Sequence, residues 1–174
     1  MLSADTQAEL QRNIAELDQL VDEILLASRL DAGAANVGSV EMVDLVGLAA
    51  EECARVDADL ELAEGRAIPE LPGIVRLLRR AVRNLLENAR RYSAGDVTLQ
   101  LSCEAGAVLV RVNDHGPGVP PPQRERIFEP FYRLPGASER SGGVGLGLAL
   151  VRSIAQRHHG SVHCQPRPDG APGA

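Results

Sequence analysis

The chain has 174 residues, 44% of them hydrophobic but only 2% aromatic, with no Trp and a formal net charge of −6. That is one ordinary domain plus an appendage, with enough Leu, Val, Ile and Ala to form a core. The acidic balance excludes a general grip on nucleic acid, which needs a basic face, although Arg76, Arg79, Arg80, Arg83 and the Arg90-Arg91 pair leave local anion binding open. Cys53, Cys103 and Cys164 are odd in number and far apart, which excludes zinc spacing and a full disulfide set and points to a reduced, cytoplasmic setting. No stretch approaches the ~20 apolar residues of a membrane span, and no signal peptide opens the chain. A soluble chain, cut from a longer protein, is expected, because the sequence begins directly in a helical pattern.

From about Asp5 to Asp31, Leu10, Ile14, Leu17, Val21 and Ile24 recur in steps of four and three, widened by Leu20, Leu25 and Leu30. This heptad pattern predicts one long coiled-coil-type helix that needs a second helix to cover its seam. The small-residue run 31–35 ends it. A short strand is expected over Ser39–Asp44, a helix over Leu45–Val56 and another short strand near Leu60–Leu62. Pro69 and Pro72 break the chain before a long helix from Gly73 to Arg91. Asp96–Cys103 and Ala107–Asn113 read as a hairpin turning at Gly106. The Gly- and Pro-rich run from Asp114 to Pro122 excludes regular structure, Gln123–Arg133 predicts a short helix and a turn, and 134–143 reads as mobile. Helix returns over Leu146–His159, a last strand is expected over Ser161–Gln165, and the tail from Pro166 is expected to fray. The order fits an α+β fold, a two-layer sandwich with a mixed sheet and helices on one face, preceded by the long helix.

Three stretches carry chemistry. Asn84 and Asn88 lie one turn apart on a helix and project together. Their carboxamide oxygens suit a hard ion such as Mg²⁺ that keeps its waters and bridges phosphates, and the plainer alternative is surface amides. Asp114, at a strand end before flexible glycines, can accept a hydrogen bond from an exocyclic amine such as that of adenine, or simply shape a turn. The run Gly143-Val144-Gly145-Leu146-Gly147-Leu148 sets alternating glycines against a helix start. Such a loop lets backbone N–H groups approach a phosphate at the positive end of a helix dipole.

Taken in order, Asn84-Leu85-Leu86-Glu87-Asn88-Ala89, Asp114-His115-Gly116-Pro117-Gly118, Phe128-Glu129-Pro130-Phe131-Tyr132-Arg133 and the 143–148 run closely resemble the N, G1, F and G2 boxes of sensor histidine kinases. The resemblance covers about Val40 to Gln165. The N-terminal helix, ending Leu25-Leu26-Ala27-Ser28-Arg29-Leu30-Asp31, resembles the second helix of that family's dimerisation and phosphoacceptor hairpin. It implies two regions, 1–34 as that helix and 35–174 as a Bergerat-type ATP-binding domain. By resemblance, Asn88 coordinates Mg²⁺ with Asn84 in support, Arg91 contacts phosphate, Tyr92 flanks the base, and Asp114 binds the adenine amine above Gly116 and Gly118. Phe128 and Phe131 anchor the lid, and Gly143, Gly145 and Gly147, with Leu146 and Leu148 in the same run, hinge it and face the phosphates. Arg133 or Arg140 reaches the γ-phosphate, and the sequence does not choose between them.

Gyrase-type and chaperone relatives of this fold carry a glutamate where this chain has Asn84, so the resemblance implies a poor ATPase suited to transferring the γ-phosphoryl group instead. Glu87, about 100° around the helix from Asn88, is expected to turn away from the site. The acceptor histidine of the family is missing: His115, His158, His159 and His163 all fall outside its motif. The chain is therefore expected to bind ATP and Mg²⁺ without phosphorylating itself. In the intact protein the implied partners are a response-regulator receiver domain and a second copy joined through the N-terminal helix, with any inner-membrane anchor in other segments. A serine kinase or a non-catalytic ATP-dependent adapter on the same fold are the alternatives. Ile74 stands where many relatives have an aspartate, which puts the cap of that helix in question.

Overall fold

The computed structural model describes residues 3–65, 67–136 and 143–174. Ser3, whose hydroxyl accepts the Thr6 N–H at 3.2 Å, caps the first helix, α1, Ala4–Asp31. The heptad stripe lies open on it, with Leu10, Ile14, Leu17, Val21 and Ile24 between 43% and 60% exposed. Its last turns behave differently: Leu26, Ala27 and Leu30 enter an apolar cluster with Val37, Ile74, Leu77, Leu150 and Ile154. One helix thus docks on the domain at its C-terminal end and carries an uncovered seam above.

Strand β1 (Glu41–Val43) leads into α2 (Leu45–Val56), which Asp44 caps by accepting the Gly47 N–H at 3.0 Å. Then come β2 (Asp59–Leu62), β3 (Leu71–Gly73), α3 (Val75–Tyr92), β4 (Thr98–Glu104) and β5 (Ala107–Asn113). β1 pairs with β3 in a small antiparallel ribbon, Met42 opposite Pro72. The second sheet is mixed, in the order β2-β4-β5, with β2 parallel to β4 and β4 antiparallel to β5. A parallel pair needs a long crossover, and α3 supplies it. The last helix, α4, spans Gly147–Arg157.

In β4, Leu99 and Leu101 are fully buried on the face that meets Leu48, Ala49 and Cys53 of α2 and Val82, Leu86 and Ala89 of α3. Each such leucine contributes roughly 1.5–3 kcal/mol. α3 buries a second face, through Leu77 and Ala81, against α4 and the end of α1. The two-layer arrangement with helices on one face of a mixed sheet is the one expected. Between α2 and α3, the nearly inaccessible Glu52 takes both guanidinium donors of Arg83, at 2.8 and 2.9 Å, and one of Arg79 at 3.0 Å.

Three expectations change. The long helix starts at Val75, two residues late, because Gly73 completes β3; proline is tolerated in that strand because a two-stranded ribbon has only edges. Ser161–Gln165 forms no strand: instead of joining a ladder it lines a cavity together with Leu109–Asn113 of β5. The tail does not fray, because Ala174 and Arg167 both bond to Asp114. The cap of α3 is settled as well. Ile74 offers no capping side chain, and its own N–H donates to Nε2 of His158, 84 positions away, at 3.0 Å.

Candidate nucleotide-binding site

The wide apolar face of α3 fixes which residues flank it. With Val82, Leu86 and Ala89 turned to the sheet, Asn84 and Asn88 come to the side that faces α4 and the loop before it. Asn84 is 7% exposed and its amide donates to the Gly147 carbonyl at 3.1 Å. Asn88 is half-buried one turn on and lines an open cavity of about 1080 Å³ with Arg91 and Tyr92. Glu87 is exposed but lies on the rim of the same cavity, so the expectation that it turns wholly away is not met.

A second wall comes from the end of β5. Asp114 Oδ1 accepts the Gly116 N–H at 2.7 Å, closing a turn two residues long. At Gly116 a Cβ would lie 2.7 Å from the Tyr92 carbonyl oxygen, so only glycine lets this loop close onto the end of α3. Ser93 Oγ accepts the His115 N–H at 3.0 Å, and His115 Nδ1 lies 2.7 Å from the Asp96 carbonyl. These bonds hold Asp114, Gly118 and Tyr92 around one side of the cavity. The Asp114 carboxylate is not fully open, since Ala174 N–H approaches Oδ1 at 3.4 Å.

The third wall comes from the segment 127–134 and the 143–148 loop. Phe128 is 4% exposed and sits under the Arg152 guanidinium at 4.9 Å, so its ring is packed into the fold. Phe131 does not anchor through its ring, which is 62% exposed; its backbone, at φ 63°, donates its N–H to the Gly145 carbonyl at 3.0 Å. At Gly145, φ is 82° and a Cβ would fall 2.8 Å from the Tyr132 carbonyl oxygen, so the loop is sewn to the Phe131-Tyr132 backbone only because no side chain intervenes. Gly143 brings its backbone against the Arg91 guanidinium. Gly147 is already the first residue of α4, so Gly143 and Gly145 can hinge this loop and Gly147 cannot. Leu146 is buried and Leu148 half-buried at the helix start. Arg133 lines the cavity, whereas Arg140 lies outside the described residues.

The cavity therefore joins an amide oxygen donor, a guanidinium, a carboxylate in a tight turn and a loop of backbone N–H groups before a helix. That set is suited to an anion with a polar heterocycle at its other end. Among the described residues no three His, Cys, Asp or Glu side chains cluster as a metal site. Sequence reasoning missed the contribution of α1, from which Asn13, Glu16, Leu17 and Gln19 also line the cavity. Their polar spacing was legible, but the angle at which α1 leaves the domain was not.

Residues 73–173 match the family described as histidine kinase-, DNA gyrase B- and HSP90-like ATPase. The chain is 35% identical to the sensor protein RstB of Escherichia coli K12, over 94% of this chain and 39% of RstB. It is 39% identical to the sensor histidine kinase GtrS of Pseudomonas aeruginosa, over 94% of this chain and 33% of GtrS. It thus spans well under half the length of these relatives. Among solved structures, the mycobacterial sensor histidine kinase MprB superposes with a TM-score of 0.64 at 31% identity, covering 77% of this chain and 91% of that one. Full-length ShkA in complex with AMPPNP gives 0.71 at 30% identity, over 94% of this chain and 36% of ShkA. No helix among the described residues is long and apolar enough to cross a membrane. With the fold, the boxes along the cavity and the relatives in agreement, the chain belongs to the histidine kinase-, DNA gyrase B- and HSP90-like ATPase family, on its sensor histidine kinase side.

Proposed function

We propose that this chain binds Mg²⁺-ATP in the cavity between α3, the Asp114–Gly118 loop and the 143–148 loop. It would present the γ-phosphoryl group to a histidine on a helix outside the chain, for onward transfer to an aspartate of a response-regulator receiver domain. The observation that carries this reading is the convergence of Asn88, Arg91, Asp114, Gly118 and the Gly143–Leu148 loop, far apart in sequence, on one cavity. The AMPPNP complex of ShkA supports the nucleotide. In this reading residues 1–34 are the second helix of a dimerisation hairpin and 35–174 the catalytic domain. The open stripe of α1 would join a second copy, and a membrane anchor would belong to other segments of the intact protein.

Asp114 would accept the adenine amine, with Tyr92 beside the base and Gly116 and Gly118 shaping the floor. Arg91, against Gly143, would hold phosphate oxygens where the lid meets α3, and Arg133 stands on the same cavity for the γ-phosphate. The donor set fits Mg²⁺ held by one protein ligand, with phosphates and water completing its shell, because Asn88 offers a neutral oxygen and no carboxylate cluster competes among the described residues. When bound, the ion would neutralise charge developing on the phosphates. Asn84 cannot act as a base: it is a neutral amide whose nitrogen is engaged by Gly147. Water is therefore left unactivated at that position, which favours transfer over hydrolysis.

Incubating the chain with γ-labelled ATP and a separately supplied two-helix domain bearing the acceptor histidine tests the reading. We expect acid-labile label on that histidine and none on the chain alone. Tight ATP binding without any transfer would favour an adapter that only changes shape with nucleotide.

A further inference from the structure

The geometry points to His158 as a positioning residue for the nucleotide site, acting through the register of α3 against α4. This rests on the nucleotide-binding reading above. The two helices run antiparallel and are cross-braced twice. At the far end Ile74 N–H donates to His158 Nε2 at 3.0 Å, and at the cavity end Asn84 Nδ2 donates to Gly147 O at 3.1 Å. Ten residues separate the braces on α3 and eleven on α4, about 15 Å in each case at the rise of an α-helix. Leu77, Leu150 and Ile154 fill the seam.

Helix ends leave N–H groups at the start and C=O groups at the finish without partners. His158 meets a group at each end: the Ile74 N–H just before α3, and the Ile154 carbonyl near the end of α4, which also takes the His158 backbone N–H at 3.2 Å. Its ring Nδ1 lies 2.8 Å from that carbonyl, while Nε2 meets the Ile74 N–H, and α3 has no side-chain cap of its own. Because Ile154 O can only accept and Ile74 N can only donate, the ring must carry its proton on Nδ1 and keep Nε2 bare. The chain then continues through His159, at φ 59°, and Gly160 N–H returns to Ala155 O at 2.8 Å, which fixes where α4 stops. The ring also lies against Gly73, where a Cβ would be 3.3 Å from His158 Cδ2.

The consequence reaches the site through the helices. α3 carries Asn84 and Asn88, and α4 begins where the 143–148 loop ends. Releasing the far brace lets α3 and α4 slide or rotate against each other, which loosens the Asn84–Gly147 bond and spoils the placement of Asn88 relative to the loop. Asn84 in this scheme is the near brace and not a ligand.

The test compares the parent chain with His158→Leu, which keeps bulk and loses the acceptor, and His158→Gln, whose carboxamide oxygen can take the Ile74 N–H. Ring ¹⁵N spectra of the parent should show protonated Nδ1 and unprotonated Nε2. In His158→Leu, amide exchange at Ile74 should quicken and Mg²⁺-ATP affinity fall by about tenfold, the factor one lost buried hydrogen bond commands, with His158→Gln recovering both to within about threefold. A folded His158→Leu with parent affinity overturns the inference, as do equal losses in the two variants. If His158→Leu does not fold, a parent ring protonated on Nε2, or a folded His158→Gln that binds ATP no better than about tenfold below the parent, overturns it. A parent that binds no ATP overturns the nucleotide reading itself, and this inference with it.

Discussion

Two side chains of similar size on neighbouring helices do opposite things with charge. Glu52 is 1% exposed, yet stays ionised because Arg83 grips both its oxygens and Arg79 and Arg55 stand beside it. The Arg83 hydrogen bonds hold its carboxyl below the ordinary range, against the upward push of burial, with Arg79 adding to the effect. Asn84, by contrast, puts a neutral amide where a basic carboxylate would otherwise stand, its nitrogen engaged by the Gly147 carbonyl. A depressed carboxyl contributes stability that is present above its unfolded pKa and lost as pH falls through the folded one. Replacing Glu52 by Gln should therefore cost about 3 kcal/mol at neutral pH, the low end for breaking a buried pair, because Arg79 and Arg83 keep access to water. Urea denaturation of parent and variant should show that gap narrowing below about pH 4. A gap that does not change with pH would contradict the assignment.

At the scale of elements, α3 and the loop before α4 form one working unit, and the sequence showed most of α3. Its apolar spacing gave the buried faces, and hence the side on which Asn84 and Asn88 stand. What it could not show was β3, since Pro72 reads only as a breaker until Met42 is known to lie opposite, nor the cap of α3, whose partner His158 is 84 positions away. Local pattern carries local structure, and these two features depend on distant partners. The 143–148 loop gives a sharper prediction. Gly145→Ala forces a side chain into φ 82° and into the Phe131-Tyr132 backbone, where contacts would be 2.8 to 2.9 Å. Gly136→Ala meets the same kind of backbone, φ 84°, with no atom within 4 Å. The left-handed strain of roughly 1–2 kcal/mol is common to both, so ATP affinity should drop at least tenfold in Gly145→Ala and far less in Gly136→Ala. Equal losses in the two would show that the loop does not need its tie to Phe131.

Across the whole molecule, lysine is absent and all 18 Lys-or-Arg positions are Arg, so the ion pairs among the described residues are made by arginine. That suits the forked contact of Arg83 with Glu52, beside the single-point pairs of Arg80 with Glu23 on α1 and of Arg152 with Glu125. The Arg80–Glu23 pair, at 2.9 Å, and the cluster around Leu30 set α1 so that Asn13, Glu16 and Gln19 overlook the cavity together with Leu17 of the exposed heptad stripe. From sequence the candidate site was legible as four boxes, because each needs a residue type that chemistry restricts: amides on a helix, an acid in a Gly turn, a buried Phe, glycines before a helix. The division of labour within them was not legible. Phe131 holds the loop by backbone instead of ring, Gly147 belongs to a helix instead of a hinge, and the tail meets Asp114, all consequences of packing between distant segments. The central claim is that these segments make one Mg²⁺-ATP site with Asn88 at its metal. Titrating the parent chain and Asn88→Ala with ATP, with and without Mg²⁺, tests it most directly. Mg²⁺ should strengthen binding to the parent and Asn88→Ala should lose this metal-dependent part, whereas an unchanged Mg²⁺-dependent affinity in the variant would contradict the site.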